Sequence, residues 1–126
     1  MLNIEKILKK CDLDFETDFL SERLPYIDFK DFTELMEYLN GDSSSNYMQD
    51  DLHEYADGLI DIYYYDLRKW AVENYSYIEE AIDELGSPEP FDFHKAIQYG
   101  QYKYYTQQCY EDVENFKEWL EENYNF

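Results

Sequence analysis

Apolar positions in this chain recur at steps of three and four residues over most of its length, the spacing of helices that bury one side. The pattern is strongest between residues 50 and 70. Leu52, Tyr55, Ala56, Leu59, Ile62, Tyr63, Leu67 and Trp70 form one stripe there, while Asp50, Glu54, Asp57 and Asp61 stack along the opposite edge. This spacing predicts one long helix over 50–70, in which Gly58 costs about 1 kcal/mol relative to alanine. No Lys or Arg occurs from Asp31 through Leu67, so neighbours in sequence leave the negative edge uncompensated.

The flanking segments read as shorter elements of the same kind. Leu2, Ile4, Ile7 and Leu8, with Lys6, Lys9 and Lys10, predict a short amphipathic helix whose bases sit near its C-terminal end, where the helix dipole favours them. Residues 11–29 read as a loop or short irregular connection, with room for one extended segment where apolar and acidic residues alternate over Asp12–Phe15, and with Pro25 interrupting any helix. Asp31 is placed to cap the next helix and Glu34 to complete a capping box, ahead of Phe32, Leu35, Met36 and Leu39. Gly41 closes that helix and the run 41–46, GDSSSN, is a polar linker. The pattern resets at Asn74–Ser76, after which Ile78, Ala81, Ile82 and Leu85 start a new stripe covered by Glu79, Glu80, Asp83 and Glu84. GSPEP at 86–90 stops it.

Asp92 is placed to cap a last helix reaching Asn123, with Phe93, Ile97, Tyr102, Tyr105, Cys109, Val113, Phe116 and Leu120 on its apolar side. The five-residue step from Ile97 and the glycine at 100 predict a bend or break. Glu111, Glu114, Glu118, Glu121 and Glu122 make a second acidic edge. With no repeat and no convincing strand, the expected fold is an all-α, irregular helical bundle with acidic outer faces. It reads as a single domain over 1–126, with N-terminal helices and a loop in 1–46 and the main bundle in 47–126.

Charge changes the picture most. The formal net charge is −20, where solubility asks for a magnitude of roughly 2 to 8 in a small domain. Disorder would explain such charge, but 44% hydrophobic and 20% aromatic residues argue for a folded chain. Thirty acids against ten bases repel phosphates and anionic lipid, so neither direct nucleic-acid binding nor membrane-surface binding is expected. A basic protein is the natural partner. The sequence contains no apolar run of membrane-spanning length and no signal-peptide core, which places the expected compartment in the cytosol. Cys11 and Cys109 lack metal-ligand spacing and read as reduced, small hydrophobes.

Candidate chemistry is sparse. His53 and His94 are the only side chains with ordinary values near neutrality, neither lies in a nucleophile motif, and no glycine-rich phosphate loop exists. No catalytic residue and no cofactor is expected. His53 and Asp57, four apart, lack third and fourth metal ligands. Asp42, Ser44, Asn46 and Asp50 imitate the start of a calcium loop, but Tyr47 stands where the turn glycine belongs and His53 where the bidentate glutamate belongs, so no metal site is predicted. Among fifteen tyrosines, Tyr63, Tyr102 and Tyr105 are expected in the core. Tyr64, Tyr65, Tyr75 and Tyr77 are open to either role, core or exposed contact area, including self-association.

A DNA duplex carries one charge per roughly 1.7 Å, so about 20 charges correspond to some 10 base pairs, on the order of 34 Å. A helix over 50–70, at about 1.5 Å per residue, spans a similar length. Asp50-Asp51-Leu52-His53, followed by an alanine-containing helix and by Tyr63-Tyr64 ahead of Asp66, resembles the centre of the Ocr family of phage anti-restriction proteins, which mimic DNA. The order of later features is also similar: a proline- and aspartate-containing loop, an Ile97-centred helix with glutamines and tyrosines, Glu111-Asp112, and a closing run from Glu118 to Tyr124. The resemblance implies an all-helical homodimer that fills the DNA-binding groove of a type I restriction-modification enzyme, or of another host defence complex of the restriction, methyltransferase or CRISPR type. Two departures stand out: Tyr124-Asn125-Phe126 occupies the place of a long acidic tail, and tyrosine is far more frequent.

On this reading the mimic role falls to Asp50, Glu54, Asp57 and Asp61, with Asp66, Glu73, Glu80, Glu84, Glu111, Glu114, Glu118 and Glu121 completing the acidic surface. The alternative is an acidic adaptor or inhibitor, for example an anti-CRISPR, that binds one basic protein at a site unrelated to DNA.

Overall fold

The structure, a computed structural model, describes residues 1–85 and 93–124. The described residues form helices and connections with no strand, and the protein is all-α. The helices are α1 (Ile4–Lys10), α2 (Phe19–Arg23), α3 (Phe32–Leu39), α4 (Met48–Asp57), α5 (Tyr64–Glu73), α6 (Tyr75–Leu85) and α7 (Phe93–Asn123), with a 3₁₀ turn at Leu24–Tyr26. No helix among the described residues is long and apolar enough to cross a membrane. The chain divides into two compact units, one made of Met1–Tyr55 with Gln108–Phe126 and the other of Ala56–Gln107. That division follows long-range packing rather than the sequence order of 1–46 and 47–126.

In the first unit, local signals set the helix ends. Asn3 caps α1 by accepting from the Lys6 N–H at 3.1 Å. Asp31 caps α3 by accepting from the Glu34 N–H at 3.0 Å, and the Glu34 carboxylate reaches back one residue further than a capping box does, to the Lys30 N–H at 2.6 Å. Gly41 ends α3 at φ 77°, a conformation that costs glycine little. The connection expected over 11–29 instead contains α2 and the 3₁₀ turn. Phe19, Leu20 and Leu24 are fully buried there, and tertiary burial outweighs the weak propensity of so short a segment. The core joins these residues to Leu35, Tyr38, Leu39 and Leu52 and to Cys109, Val113, Phe116 and Leu120 of α7. Phe15 meets Phe116 edge-on, with centroids 6.1 Å apart.

The second unit has a smaller core, in which Leu67, Ile78 and Ile97 are packed by Trp70 and Ala71. Aromatic rings pack beside it: Tyr104 lies 5.8 Å from Trp70, 5.1 Å from Tyr77 and 5.3 Å from Tyr105, edge-to-face in each case. Helix α7 continues through Gly100 without the predicted break. A Cβ at 100 would lie 3.1 Å from Ile78 Cδ1 and 3.3 Å from the Tyr77 carbonyl oxygen, so the glycine there answers to close packing.

The single helix predicted over 50–70 is two helices. α4 ends at Asp57 and α5 begins at Tyr64, and the chain between them is a turn and bend. The Leu59 N–H donates to Ala56 O and the Ile60 N–H to Asp57 O, three residues back, which tightens and then ends the helix. Gly58 is therefore the first residue past the helix rather than a weak point within it. Ile60, Ile62 and Tyr63, β-branched or aromatic residues of modest helix propensity, add little to its continuation. The expected cap at Asp92 and the GSPEP stop at 86–90 lie outside the described residues.

Candidate acidic interaction surface

Asp50, Glu54 and Asp57 all lie on α4 and all are exposed. Their spacing of four and three sets them along one helical edge. Asp61 leaves that edge. It sits in the connection after α4, half-buried, where its N–H donates to Gln101 Oε1 at 2.9 Å and its Oδ2 accepts from Gln101 Nε2 at 2.9 Å. Its backbone carbonyl accepts from Gln98 Nε2 at 3.3 Å. Asp61 thus fastens the connection to α7, and its removal from the acidic edge also removes the match between a helix over 50–70 and ten base pairs.

Glu111, Glu114, Glu118 and Glu121 are exposed on α7 at steps of three, four and three, with Glu122 beside them. These four cover about 15 Å of helix axis. A single DNA strand places one phosphate per about 3.4 Å of axis, or roughly four over that distance. Lys117 tempers the match, because its Nζ pairs with Glu114 Oε1 at 3.0 Å. Asp66, Glu73 and Glu80 are exposed in the second unit. Asp50, Glu54, Asp57, Asp66, Glu73, Glu80, Glu118 and Glu121 form no ion pair among the described residues. The side chain of Glu84 lies outside the described ones.

Charge is unevenly divided. The unit formed by Met1–Tyr55 and Gln108–Phe126 carries twenty acids and six bases, and the unit Ala56–Gln107 carries ten and four. The first unit therefore holds most of the net charge. Two of its acids, which the periodicity reading did not single out, are structural. Asp112, buried in α7, accepts from the Glu16 and Thr17 N–H groups at 2.8 Å each and from Thr17 Oγ1 at 2.6 Å. Asp51 Oδ2 accepts from the Tyr38 hydroxyl at 2.8 Å and lies 3.0 Å from Arg23 Nε. The signal for Asp112 was available in the sequence: it stands three residues after Cys109 and four before Phe116, on the apolar side of its helix.

The tyrosines depart from expectation in part. Tyr63, expected in the core, is exposed because it precedes α5 in the irregular connection, and Tyr102 and Tyr105 are half-buried. Tyr65 and Tyr75 are exposed, Tyr77 is half-buried against Trp70 and Tyr104, and Tyr38 is fully buried, while the side chain of Tyr64 lies outside the described ones. Cys109 is buried beside Thr17 and Cys11 is half-buried, both as free thiols. Burial pushes both thiols above their ordinary range. Among the described residues no group of three or more His, Cys, Asp and Glu side chains could hold a metal ion. No protein-family model, curated protein or solved structure matches this chain.

Proposed function

We propose that this protein is a DNA-mimic inhibitor, phage-encoded and acting in the cytosol of a bacterial host, that occupies the DNA-binding groove of a defence enzyme of the restriction, methyltransferase or CRISPR type. The observation that carries the reading is the row of exposed carboxylates on the C-terminal part of α7, whose spacing along the axis approaches that of the phosphates of one strand. Exposed Asp50 and Glu54 add to the charge of the same unit. Lysines and arginines shaped to meet phosphates meet carboxylates instead, no bond is made or broken, and long-range attraction speeds the encounter.

The test is capture from a bacterial lysate on the immobilised protein, with elution by short duplex DNA in one arm and by salt in the other. Release of a nuclease or methyltransferase complex by duplex at low salt supports mimicry. A partner that salt releases and duplex does not contradicts it. The adaptor reading draws on a different observation, the exposed Tyr63, Tyr65 and Tyr75 of the second unit, which are residue types that anchor protein interfaces. For an adaptor, the partner binds duplex and this protein together, and changing these tyrosines abolishes capture while charge reversal at Glu118 and Glu121 does not.

A further inference from the structure

An open groove in the Ala56–Gln107 unit offers a space of about 500 Å³, inside the range of roughly 300 to 1,000 Å³ typical of small-molecule sites. One wall is the face of α7 that carries Lys95, Gln98, Tyr99 and Tyr102, at steps of three, one and three. The other is the connection after α4, with Ile60 and Ile62. The Tyr99 and Tyr102 rings, which both line the space, lie 6.4 Å apart with their planes 24° from parallel. Lys103 sits 5.8 Å from the Tyr99 ring centroid and does not line the cavity.

The second wall is a loop, yet it is held. Gln101, fully buried, exchanges two hydrogen bonds of 2.9 Å with Asp61, and Gln98 adds a third to the Asp61 carbonyl. A buried glutamine with both its donor and its acceptor engaged fixes the residues on either side of Asp61, and those residues are the two isoleucines. The space is preformed rather than a gap between mobile parts.

Its charges are of both signs and do not meet. Asp57 and Lys95 both line the cavity, and neither makes an ion pair with the other or with any other described residue. In a chain of net charge −20, an anionic ligand would be repelled by the field of the whole molecule, and a cation would find many equivalent sites elsewhere. A ligand with one charge of each sign and a large apolar group is repelled by neither and uses every part of the groove. We infer that this groove binds the zwitterion of a large apolar α-amino acid, its ammonium toward Asp57, its carboxylate toward Lys95 and its side chain against Tyr99, Tyr102, Ile60 and Ile62. This site is independent of the DNA-mimic reading.

The experiment is titration of the intact protein with L-tryptophan, tryptophanamide and N-acetyl-L-tryptophan, followed by calorimetry and by backbone amide shifts. Saturable binding of L-tryptophan is expected, with shifts centred on Ile60, Ile62, Lys95 and Tyr99. Each analogue, having lost one charge, binds about fivefold more weakly, the value of one exposed ion pair of about 1 kcal/mol. Lys95→Gln removes the advantage of L-tryptophan over tryptophanamide and leaves its advantage over N-acetyl-L-tryptophan, while Asp57→Asn does the reverse. Both side chains are exposed, so neither change threatens the fold. No saturable binding at millimolar L-tryptophan, equal affinity for all three probes, or shifts centred elsewhere overturns the proposal.

Discussion

Asp112 shows how far one side chain reaches in this protein. Its carboxylate takes three donors from Glu16 and Thr17, nearly a hundred positions earlier in the chain, and so fixes the segment leading into α2. Asp112→Ala leaves two backbone N–H groups and a hydroxyl without their acceptor, a loss of about 2 to 3 kcal/mol by denaturant unfolding. Asp112→Asn keeps one oxygen and costs about half as much. Tyr38 offers a test in pH. Burial first, and then the Asp51 carboxylate it donates to, push its phenol well above the ordinary value of 10.0. Because the folded value is raised, the stabilisation is complete below about pH 10 and is lost as pH rises beyond it toward the folded value. Tyr38→Phe lowers stability at pH 7 by about 1 kcal/mol and flattens the fall above pH 10 in a pH series of urea midpoints. An unchanged alkaline slope in the variant contradicts this assignment. Asp112, like Gln101 four residues after Ile97, stands on an apolar stripe where a polar residue must find a buried partner, so its importance was legible in the sequence although its partner was not.

The helices themselves were largely legible. Caps at Asp31 and Gly41 and the reset at Asn74 rest on interactions within a few residues, and the structure has them. The errors lie where long-range contacts decide. Periodicity continues across Gly58–Tyr63, but the polar groups of Asp61 are claimed by Gln98 and Gln101 some forty residues away, and the helix stops. Gly100 is the reverse case: a residue that reads as a helix weakness is retained where α6 comes close. Alanine there gains about 1 kcal/mol of helix propensity but presses on the Tyr77 carbonyl and Ile78, and such overpacking costs about 1 to 3 kcal/mol. Gly100→Ala is therefore expected to lower the thermal midpoint. A rise would show that α6 yields at no cost and that the close approach does not account for the glycine.

At the scale of the molecule, charge was the most legible property and its arrangement the least. Composition announced the excess of acids, but periodicity alone could not separate Asp51, Asp61 and Asp112, which hold the fold, from Asp50, Glu54, Glu118 and Glu121, which are exposed and form no ion pair among the described residues. The proposed inhibitor depends on the second group. The measurement that tests this most directly is the apparent Kd of the captured enzyme for a labelled duplex at rising concentrations of this protein, at fixed salt. DNA mimicry predicts strict competition: the apparent Kd rises in proportion to inhibitor, saturating duplex restores full binding, and Glu118→Lys with Glu121→Lys weakens inhibition by at least about tenfold, two desolvated charge pairs being worth more than 1.4 kcal/mol together. A maximal level of bound duplex that falls while its apparent Kd stays constant, or inhibition untouched by the charge reversals, contradicts it.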